Sequence, residues 1–164
     1  MAELTPLERL QPCLLDRLTD DDPKNTEESR TQRVISLGRY KKGVLRDIEW
    51  LLNCSAIVPR PNDPDLDDFP EVKKSVLNFG TRQLCGLVGP DMDEFERELA
   101  EALHLFEPRI LQNSVTIKTS KERNIVGLEI NGDLWANPVP ERLYIRTKID
   151  LETGQTSIGE SSNG

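Results

Sequence analysis

The sequence has few of the residues on which metal-dependent and nucleophilic enzymes depend. Its single histidine, His104, excludes Cys2His2 zinc sites, H-E-x-x-H sites and any mechanism that needs two histidines. Cys13, Cys54 and Cys85 are odd in number and widely separated, so they predict neither a metal-binding pair nor a disulfide framework. A Cys–His dyad formed across the fold stays open. Glycine-rich phosphate loops and nucleophile elbows are also missing from the sequence, and we expect no cofactor.

Long apolar runs and an excess of basic residues are missing as well. The longest charge-free stretch, Trp50–Pro59, falls well short of the roughly 18 apolar residues that a membrane span needs. The net charge of −8 disfavours binding to nucleic acid or to an anionic membrane. The N-terminus has no basic region followed by an apolar stretch, which predicts no signal peptide. We expect a cytoplasmic protein that neither binds nucleic acid nor inserts into a membrane.

The N-terminal residues predict a helix tethered to the main domain by an acidic linker. Residues 1–18 are expected to form a docking element in which Pro6–Leu18 is helical, with Thr5 as N-cap and Pro12 as a weak point. Residues 19–33 carry no aliphatic or aromatic side chain and predict a flexible linker. The helix packs either on its own domain or on a partner, and the sequence leaves both open. Its apolar stripe consists of Leu7, Leu10, Leu14 and Leu18.

Residues 34–158 predict one domain that begins with helices. Apolar residues recur at helical spacing over Ser36–Asn53 and again over Pro90–Leu105. Asp91 and Glu94 form a capping box at the start of the second of these helices, and Pro108 ends it.

Between these two helices the sequence predicts an acidic loop and a short helix. Pro59–Pro70 contains four prolines and four aspartates, which preclude regular structure. A helix is expected over Pro70–Phe79, ended by Gly80. Its apolar residues are Val72, Val76 and Leu77.

After Pro108 the apolar period changes from 3.6 residues to two, which predicts strands. The predicted strands cover 110–117, 126–130, 143–151 and 155–158. The predicted turns are 120–123, 131–133 and 152–154. Residues 159–164 are expected to be a disordered tail. The predicted fold class is therefore α+β, with N-terminal helices followed by a small antiparallel β-meander.

One pattern resembles an enzyme. Glu141, Asp150 and Thr156 have the spacing Glu-x8-Asp-x5-Thr, which is similar to the catalytic triplet of phage-type lysozymes. An unbroken strand over 142–150 would separate the two carboxylates by about 30 Å. Glycosidase carboxyl pairs lie about 5 to 9.5 Å apart. A peptidoglycan hydrolase thus remains an alternative only if Glu141 and Asp150 face one cleft.

A second pattern lies where the last helix meets the first strand. Glu107 and Arg109 flank Pro108, so a rigid proline holds two opposite charges at a fixed position. From the residues alone, a helix stop with incidental charges is the simpler interpretation.

Four stretches together resemble TssE, the type VI secretion baseplate subunit related to the sheath-initiating wedge protein of contractile phage tails. They occur in the order Leu14–Asp20, Arg39–Asn53, Ser75–Gly80 and Phe106–Ile110. The resemblance implies a structural subunit of a cytoplasmic baseplate docked at the inner membrane. It implies contacts with TssF, TssG and TssK, and templating of the TssB/TssC sheath. It also implies that Glu107, Pro108 and Arg109 face the core of the wedge.

The predicted meander offers a mechanism for the sheath contact. Edge strands carry unpaired N–H and C=O groups, which can accept a strand from another protein. The candidate edges are Arg142–Leu151 and its partner Gln155–Ile158. The expected sheath-facing residues are Arg142, Tyr144, Arg146, Lys148, Thr156 and Ile158. A cytoplasmic adaptor unrelated to secretion is the remaining non-enzymatic alternative.

Overall fold

Four α-helices precede a four-stranded antiparallel sheet in the part of the chain that the computed structural model describes. That part comprises residues 10–19, 24, 35–57, 68–82, 84, 91–136 and 139–159. The helices are α1 (Leu14–Leu18), α2 (Leu37–Asn53), α3 (Pro70–Lys73) and α4 (Met92–Phe106). The strands are β1 (Thr116–Glu122), β2 (Ile125–Leu134), β3 (Glu141–Asp150) and β4 (Thr156–Gly159). The predicted α+β class is confirmed. Within the same residues, no helix combines the length and the apolarity needed to span a bilayer.

The two long helices begin at side-chain caps. Ser36 Oγ accepts a hydrogen bond from the Arg39 N–H at the start of α2. Asp91 Oδ1 accepts the N–H groups of Asp93 and Glu94 at the start of α4, each at 3.0 Å. Both caps use an oxygen side chain to satisfy donors that the first helical turn leaves free. The predictions of these two helices are therefore confirmed.

The sheet has the order β1-β2-β3-β4, with every neighbouring pair antiparallel. Alternate residues of β2 and β3 face the helices and form the core with α2 and α4. The buried hydrophobic residues of the two strands are Val126, Leu128, Ile130, Leu134, Leu143, Ile145 and Ile149. Helix α4 packs against β1 and α2 packs against β4, so the helical layer extends across the sheet from one outer strand to the other.

The N-terminal helix is shorter than the leucine spacing predicted. Leu10 lies in an isolated bridge with Ile35, whose N–H donates to the Leu10 carbonyl at 2.8 Å, and Leu10 belongs to the core. Pro12 explains the late start, because a proline disfavours helical geometry in the residue before it. The helix begins only at Leu14. Leu7 and almost all of the predicted linker 19–33 lie outside the described residues.

The short helix predicted over Pro70–Phe79 is also wrong in detail. It divides into α3 and a 3₁₀ turn, Val76–Asn78, because Ser75 between them is extended. Val76 and Leu77 are exposed. Gly80 has φ +140°, and a Cβ there would lie 2.5 Å from the Cys54 carbonyl oxygen. The acidic loop Pro59–Pro70 lies largely outside the described residues.

Strands β1 and β2 have other boundaries than the sequence predicted. Gln112–Ser114 is a 3₁₀ turn, so β1 starts at Thr116 and continues to Glu122. The turn follows at Arg123, which has φ 52°. The predicted turn 131–133 lies inside β2, where Gly132 leaves room for Ile110, since a Cβ at Gly132 would be 2.9 Å from the Ile110 side chain. The turn at 152–154 is confirmed.

Candidate functional site

A network of ion pairs surrounds the Glu107-Pro108-Arg109 tripeptide. Glu107 follows α4 and is only 3% exposed. Its Oε1 accepts hydrogen bonds from Arg109 Nε at 2.6 Å and from the Arg109 N–H at 3.2 Å, and its Oε2 accepts one from Arg109 Nη2. Arg109 Nη2 also donates to Asp47 Oδ2 at 2.6 Å. The buried carboxylate is therefore neutralised by a guanidinium that reaches across to α2.

The network continues from α2 to α1. Arg46 donates to Asp47 Oδ1 at 2.9 Å and to Asp16 Oδ1 at 2.5 Å. The Cys13 thiol donates to Asp16 Oδ2 at 3.0 Å. Gly43 of α2 allows this approach, because a Cβ there would lie 3.0 Å from Asp16 Oδ2. Helix α1 has no buried residue and is attached to α2 by these polar contacts.

Electrostatics in the network favour the charged forms of Arg109 and Asp16. Burial lowers the pKa of Arg109, but hydrogen bonds and charge from Glu107 and Asp47 outweigh burial and raise it above its ordinary value. Burial raises the pKa of Asp16, and hydrogen bonds from Cys13 and Arg46 reverse this, so the net pKa is lowered. Tyr40, buried beside the network, has a raised pKa, mainly because of burial.

The tripeptide also connects the helices to the sheet. The Arg109 carbonyl accepts the Trp135 N–H at 2.7 Å, and Ile110 forms a bridge with Leu134 at the end of β2. Among the three residues of the predicted wedge-core interface, Glu107 is internal, Arg109 is half-buried and Pro108 is exposed. A partner can therefore reach Pro108 and part of Arg109, whereas Glu107 acts within the fold.

The leucines of α1 face outward. Leu14 is 71% exposed and Leu18 is 74% exposed, whereas Asp16 faces α2. These two leucines stand one helical turn apart on a single face. The structure brings them together, and it places Leu10 of the same predicted stripe in the core instead.

The lysozyme-like triplet does not form a site. Glu141 and Asp150 are the first and last residues of β3, which is unbroken, so about 30 Å separates them. Glu141 pairs with Lys41 at 2.8 Å, and Asp150 Oδ1 accepts N–H groups in the turn to β4. Thr156 is buried. No cluster of potential metal ligands occurs among the residues that the structure describes.

One margin of the sheet is closed by α4. Among the described residues β2 is the one strand neighbour of β1, and by alternation the main-chain groups of Thr119 face away from β2. Glu96 Oε1 accepts both the Thr119 N–H and the Thr119 hydroxyl, each at 2.7 Å. A carboxylate thus occupies the donor that another strand would need at the middle of this edge.

The opposite margin consists of β4 and part of β3. Thr156 of β4 donates its N–H to Asn53 Oδ1 at 2.9 Å, and its carbonyl accepts from Asn53 Nδ2 at 3.1 Å. β4 covers β3 only from Arg146 to Ile149. Of the two candidate edges, β4 is therefore the outer strand. Over the described residues, β3 has no strand neighbour on that side before Arg146.

The predicted sheath-facing residues are divided between the two faces of the sheet. Arg142, Arg146 and Lys148 are exposed on the face away from the helices, and Tyr144 lies beside them with its hydroxyl 2.5 Å from Arg146 Nε. Thr156 is buried and Ile158 is half-buried on the other face. The structure thus groups the four β3 residues and separates them from the two β4 residues.

Sequence reasoning missed Asp16, Asp47, Asn53 and Glu96. Asp47 and Arg109 are 62 residues apart, and Asn53 and Thr156 are 103 apart, so spacing carries no signal for either contact. Asn53 at the last position of α2 was the one local hint, since asparagine side chains readily bond to nearby backbone groups.

Comparison with known protein families gives a match over most of the domain. The family model described as baseplate wedge protein gp25 matches residues 39–139, which is more than half of the chain. The matched region runs from α2 into the segment between β2 and β3 and includes the Glu107–Arg109–Asp47 contacts. No curated protein and no solved structure matches the chain significantly.

Proposed function

Because the chain belongs to the gp25 family of baseplate wedge proteins, we propose that it is the wedge subunit of a type VI secretion baseplate and starts sheath polymerisation by accepting a strand. The family itself is structural, and a structural role in a baseplate follows for this chain. The assignment to type VI secretion is supported by the four stretches that resemble TssE. In this proposal the protein is cytoplasmic and joins a baseplate docked at the inner membrane.

The sheath contact is supported by the part of β3 that has no strand neighbour on one side among the described residues. The main-chain groups of Arg142 and Tyr144 face that side. Two residues that each present one donor and one acceptor allow four main-chain hydrogen bonds. Their net contribution is about 2–6 kcal/mol, taking about 0.5–1.5 kcal/mol for each bond. A TssB or TssC strand added there would extend the sheet. The single observation that carries this proposal is that β3, over the described residues, has no strand neighbour on that side before Arg146.

The wedge contact is supported by the other side of the molecule. Pro108 and Arg109 are accessible next to α2, and α1 presents Leu14 and Leu18 outward. Exposed leucines beside a charged network suit a permanent protein contact, in which an apolar centre is bordered by polar groups. TssF, TssG and TssK are the proposed partners of this surface.

A purely structural role is favoured over peptidoglycan hydrolysis. A hydrolase needs two carboxylates across one cleft, and Glu141 is bound to Lys41 at the far end of β3 from Asp150. Glu141→Gln should therefore leave secretion unchanged.

The test is an affinity pull-down of the tagged chain from its native cytoplasm, analysed by mass spectrometry. Tyr144→Pro removes an outward N–H without touching the bonds between β3 and β2, and Tyr144→Ala is the matched control. We expect wild type and Tyr144→Ala to recover TssF, TssG and the sheath subunits. Tyr144→Pro should keep TssF and TssG and lose the sheath.

Two outcomes would contradict the proposal. Sheath recovery by a folded Tyr144→Pro variant would rule out strand addition at β3. Failure of the wild-type chain to recover any baseplate subunit would exclude the type VI assignment and leave the cytoplasmic adaptor as the better interpretation.

A further inference from the structure

We propose that Asp47 couples Arg109 to α1, so that an acidic group bound at Arg109 loosens the attachment of α1 to α2. The device is a competition of two carboxylates, Asp47 and Asp16, for the guanidinium of Arg46. Arg109 controls this competition, because it binds Asp47 from the other side. The source of the acidic group, a subunit of the wedge, rests on the proposed function.

Five charged side chains form a line from the end of α4 to α1, and their signs alternate. In order, the line consists of Glu107, Arg109, Asp47, Arg46 and Asp16. Three carboxylates therefore share two guanidiniums. Because each guanidinium is bound by two carboxylates, a change at one end of the line alters what the other end receives.

Asp47 is the carboxylate that both arginines bind. Its Oδ2 accepts a hydrogen bond from Arg109 Nη2 at 2.6 Å, and its Oδ1 accepts one from Arg46 Nε at 2.9 Å. With Arg109 in place, the charge of Asp47 is divided between two cations. When Arg109 is removed or drawn to another acid, Arg46 is the cation that remains to Asp47 among these contacts. Asp47 then competes for Arg46 with Asp16.

The attachment of α1 depends on the share of Arg46 that Asp16 receives. The helix has five residues, none of them buried, and isolated helices below about 12–15 residues are marginal in water. Arg46 Nη1 donates to Asp16 Oδ1 at 2.5 Å, and Arg46 Nη2 donates to Cys13 Sγ at 3.4 Å. Withdrawal of Arg46 would therefore weaken the charged contact that holds α1 on α2.

The Arg109 guanidinium gives a partner access to this device. Its side chain is 20% exposed, so a group of another protein can contact it. A carboxylate fits best, because a guanidinium binds a carboxylate through two parallel N–H groups. Such a group would compete with Asp47 and release α1, whose Leu14 and Leu18 lie on the face away from α2.

Hydrogen exchange of the α1 amides, measured by NMR on the full chain, tests the coupling. The Arg17 N–H donates to the Cys13 carbonyl and the Thr19 N–H donates to the Leu15 carbonyl. Since a helix this short does not persist by itself, the protection of these two amides reports the attachment of α1.

The first two variants remove one end of the coupling each. Asp16→Asn removes the carboxylate that holds α1 and should raise both exchange rates. Arg109→Met should raise them at least about twofold, which is the lower end of the coupling between members of one ion-pair network. Unchanged rates in either variant would contradict the proposal.

The competition predicts the opposite result for Asp47. Asp47→Asn removes the competitor, so Asp16 keeps Arg46 and the exchange rates should stay at or below those of wild type. Addition of Arg109→Met to Asp47→Asn should cause no further change. If any break in the network loosened α1, Asp47→Asn would raise the rates as Arg109→Met does, and the proposed competition would be wrong.

Two further variants separate the coupling from a loss of global stability. Glu107→Leu combined with Arg109→Met removes the buried carboxylate together with its partner, releases Asp47 in the same way and should raise the α1 exchange rates. Gly80→Ala is the matched control: it destabilises the fold outside the network and should leave these rates unchanged, because α1 opens locally. Equal increases in Gly80→Ala and Arg109→Met would indicate global unfolding and exclude the coupling.

The pull-down tests the partner separately. Coupling between two contacts is reciprocal, so Asp16→Asn, which loosens α1, should recover more TssF and TssG than wild type. Equal or lower recovery would exclude an acidic wedge partner at Arg109. If the exchange rates do not respond to Arg109 while wild type recovers TssF and TssG, the coupling fails and the proposed function stands. If the rates respond and no baseplate subunit is recovered, the proposed function fails and the coupling within the chain stands.

Discussion

Removal of the Arg109 guanidinium should destabilise the fold far more than removal of an exposed arginine. We consider Arg109→Met, which keeps much of the aliphatic volume and loses the charge. Glu107, 3% exposed, would then retain only the Arg109 N–H as a hydrogen-bond donor among the contacts described above. Asp47 would lose its bond from Arg109 Nη2 but keep the one from Arg46.

The magnitude follows from the burial of the carboxylate. Removing one partner of a buried ion pair costs about 3–5 kcal/mol, because the remaining charge is left without compensation. The Arg109 side chain is 20% exposed, so water can partly replace it, and we expect the lower end, about 3 kcal/mol. Glu107→Leu combined with Arg109→Met should recover part of this loss, since no buried charge would remain.

Urea unfolding followed by tryptophan fluorescence measures the effect. With a slope of about 2 kcal/mol per molar urea, a loss of 3 kcal/mol lowers the midpoint by about 1.5 M. The matched control is Arg82→Met, whose pair with Glu94 has side chains 41% and 46% exposed and should contribute below about 1 kcal/mol. Equal losses of stability in the two arginine variants, or a loss in the double variant equal to the sum of the two single losses, would contradict a buried Glu107–Arg109 ion pair.

Two further predictions concern Gly80 and α1. Gly80→Ala should lower the free energy of unfolding by about 2–3 kcal/mol, because φ +140° and the Cys54 carbonyl exclude a Cβ. Gly38→Ala is the control: it has open space around it and should be neutral or slightly stabilising in the same urea titration. The lowered pKa of Asp16 stabilises the fold at pH values above its ordinary 3.8, and this contribution is lost as the pH falls below that value. The stability difference between wild type and Asp16→Asn should therefore be full at pH 7 and shrink as the pH falls below 3.8. A difference that did not change with pH would contradict the assigned contact.

Local signals in the sequence were sufficient for the long helices. Ser36 and Asp91 each supply an oxygen acceptor just before an apolar stripe of period 3.6, and both helices begin where these residues predict. The period of two after Pro108 likewise predicted the meander and the α+β class. These features depend on neighbours within a few residues, which a single sequence contains.

Local signals failed where tertiary contacts override them. Asn131-Gly132 has the composition of a hairpin turn, but Gly132 lies in β2 because Ile110 packs where its side chain would be. Leu10 fits a helical stripe with Leu14, but Pro12 interrupts the helix and Leu10 joins the core through Ile35. The distant residue Ile110 decides the conformation at Gly132, whereas the nearby Pro12 removes Leu10 from the helix and the distant Ile35 holds it in the core.

The long-range contacts of the candidate site were not predictable in this way. Arg109 was identified as an interface residue from a resemblance, but its pairing with Asp47 depends on how α4 and α2 pack. Asn53 and Glu96 are ordinary polar residues on helix surfaces until the sheet is placed beside them. Only then does each become the side chain that blocks an outer strand.

The ion-pair network also changes how interface mutants of this chain should be interpreted. Arg109→Glu would place a third carboxylate beside Glu107 and Asp47, so it would destabilise the fold before any partner was present. Loss of baseplate incorporation in that variant would therefore not identify a contact surface. Substitutions of exposed residues test the interface without this loss of stability. Leu14→Ser and Leu18→Ser change only side chains that face solvent, so they should leave the urea midpoint unchanged while weakening recovery of TssF and TssG. A normal recovery would exclude α1 from the wedge contact.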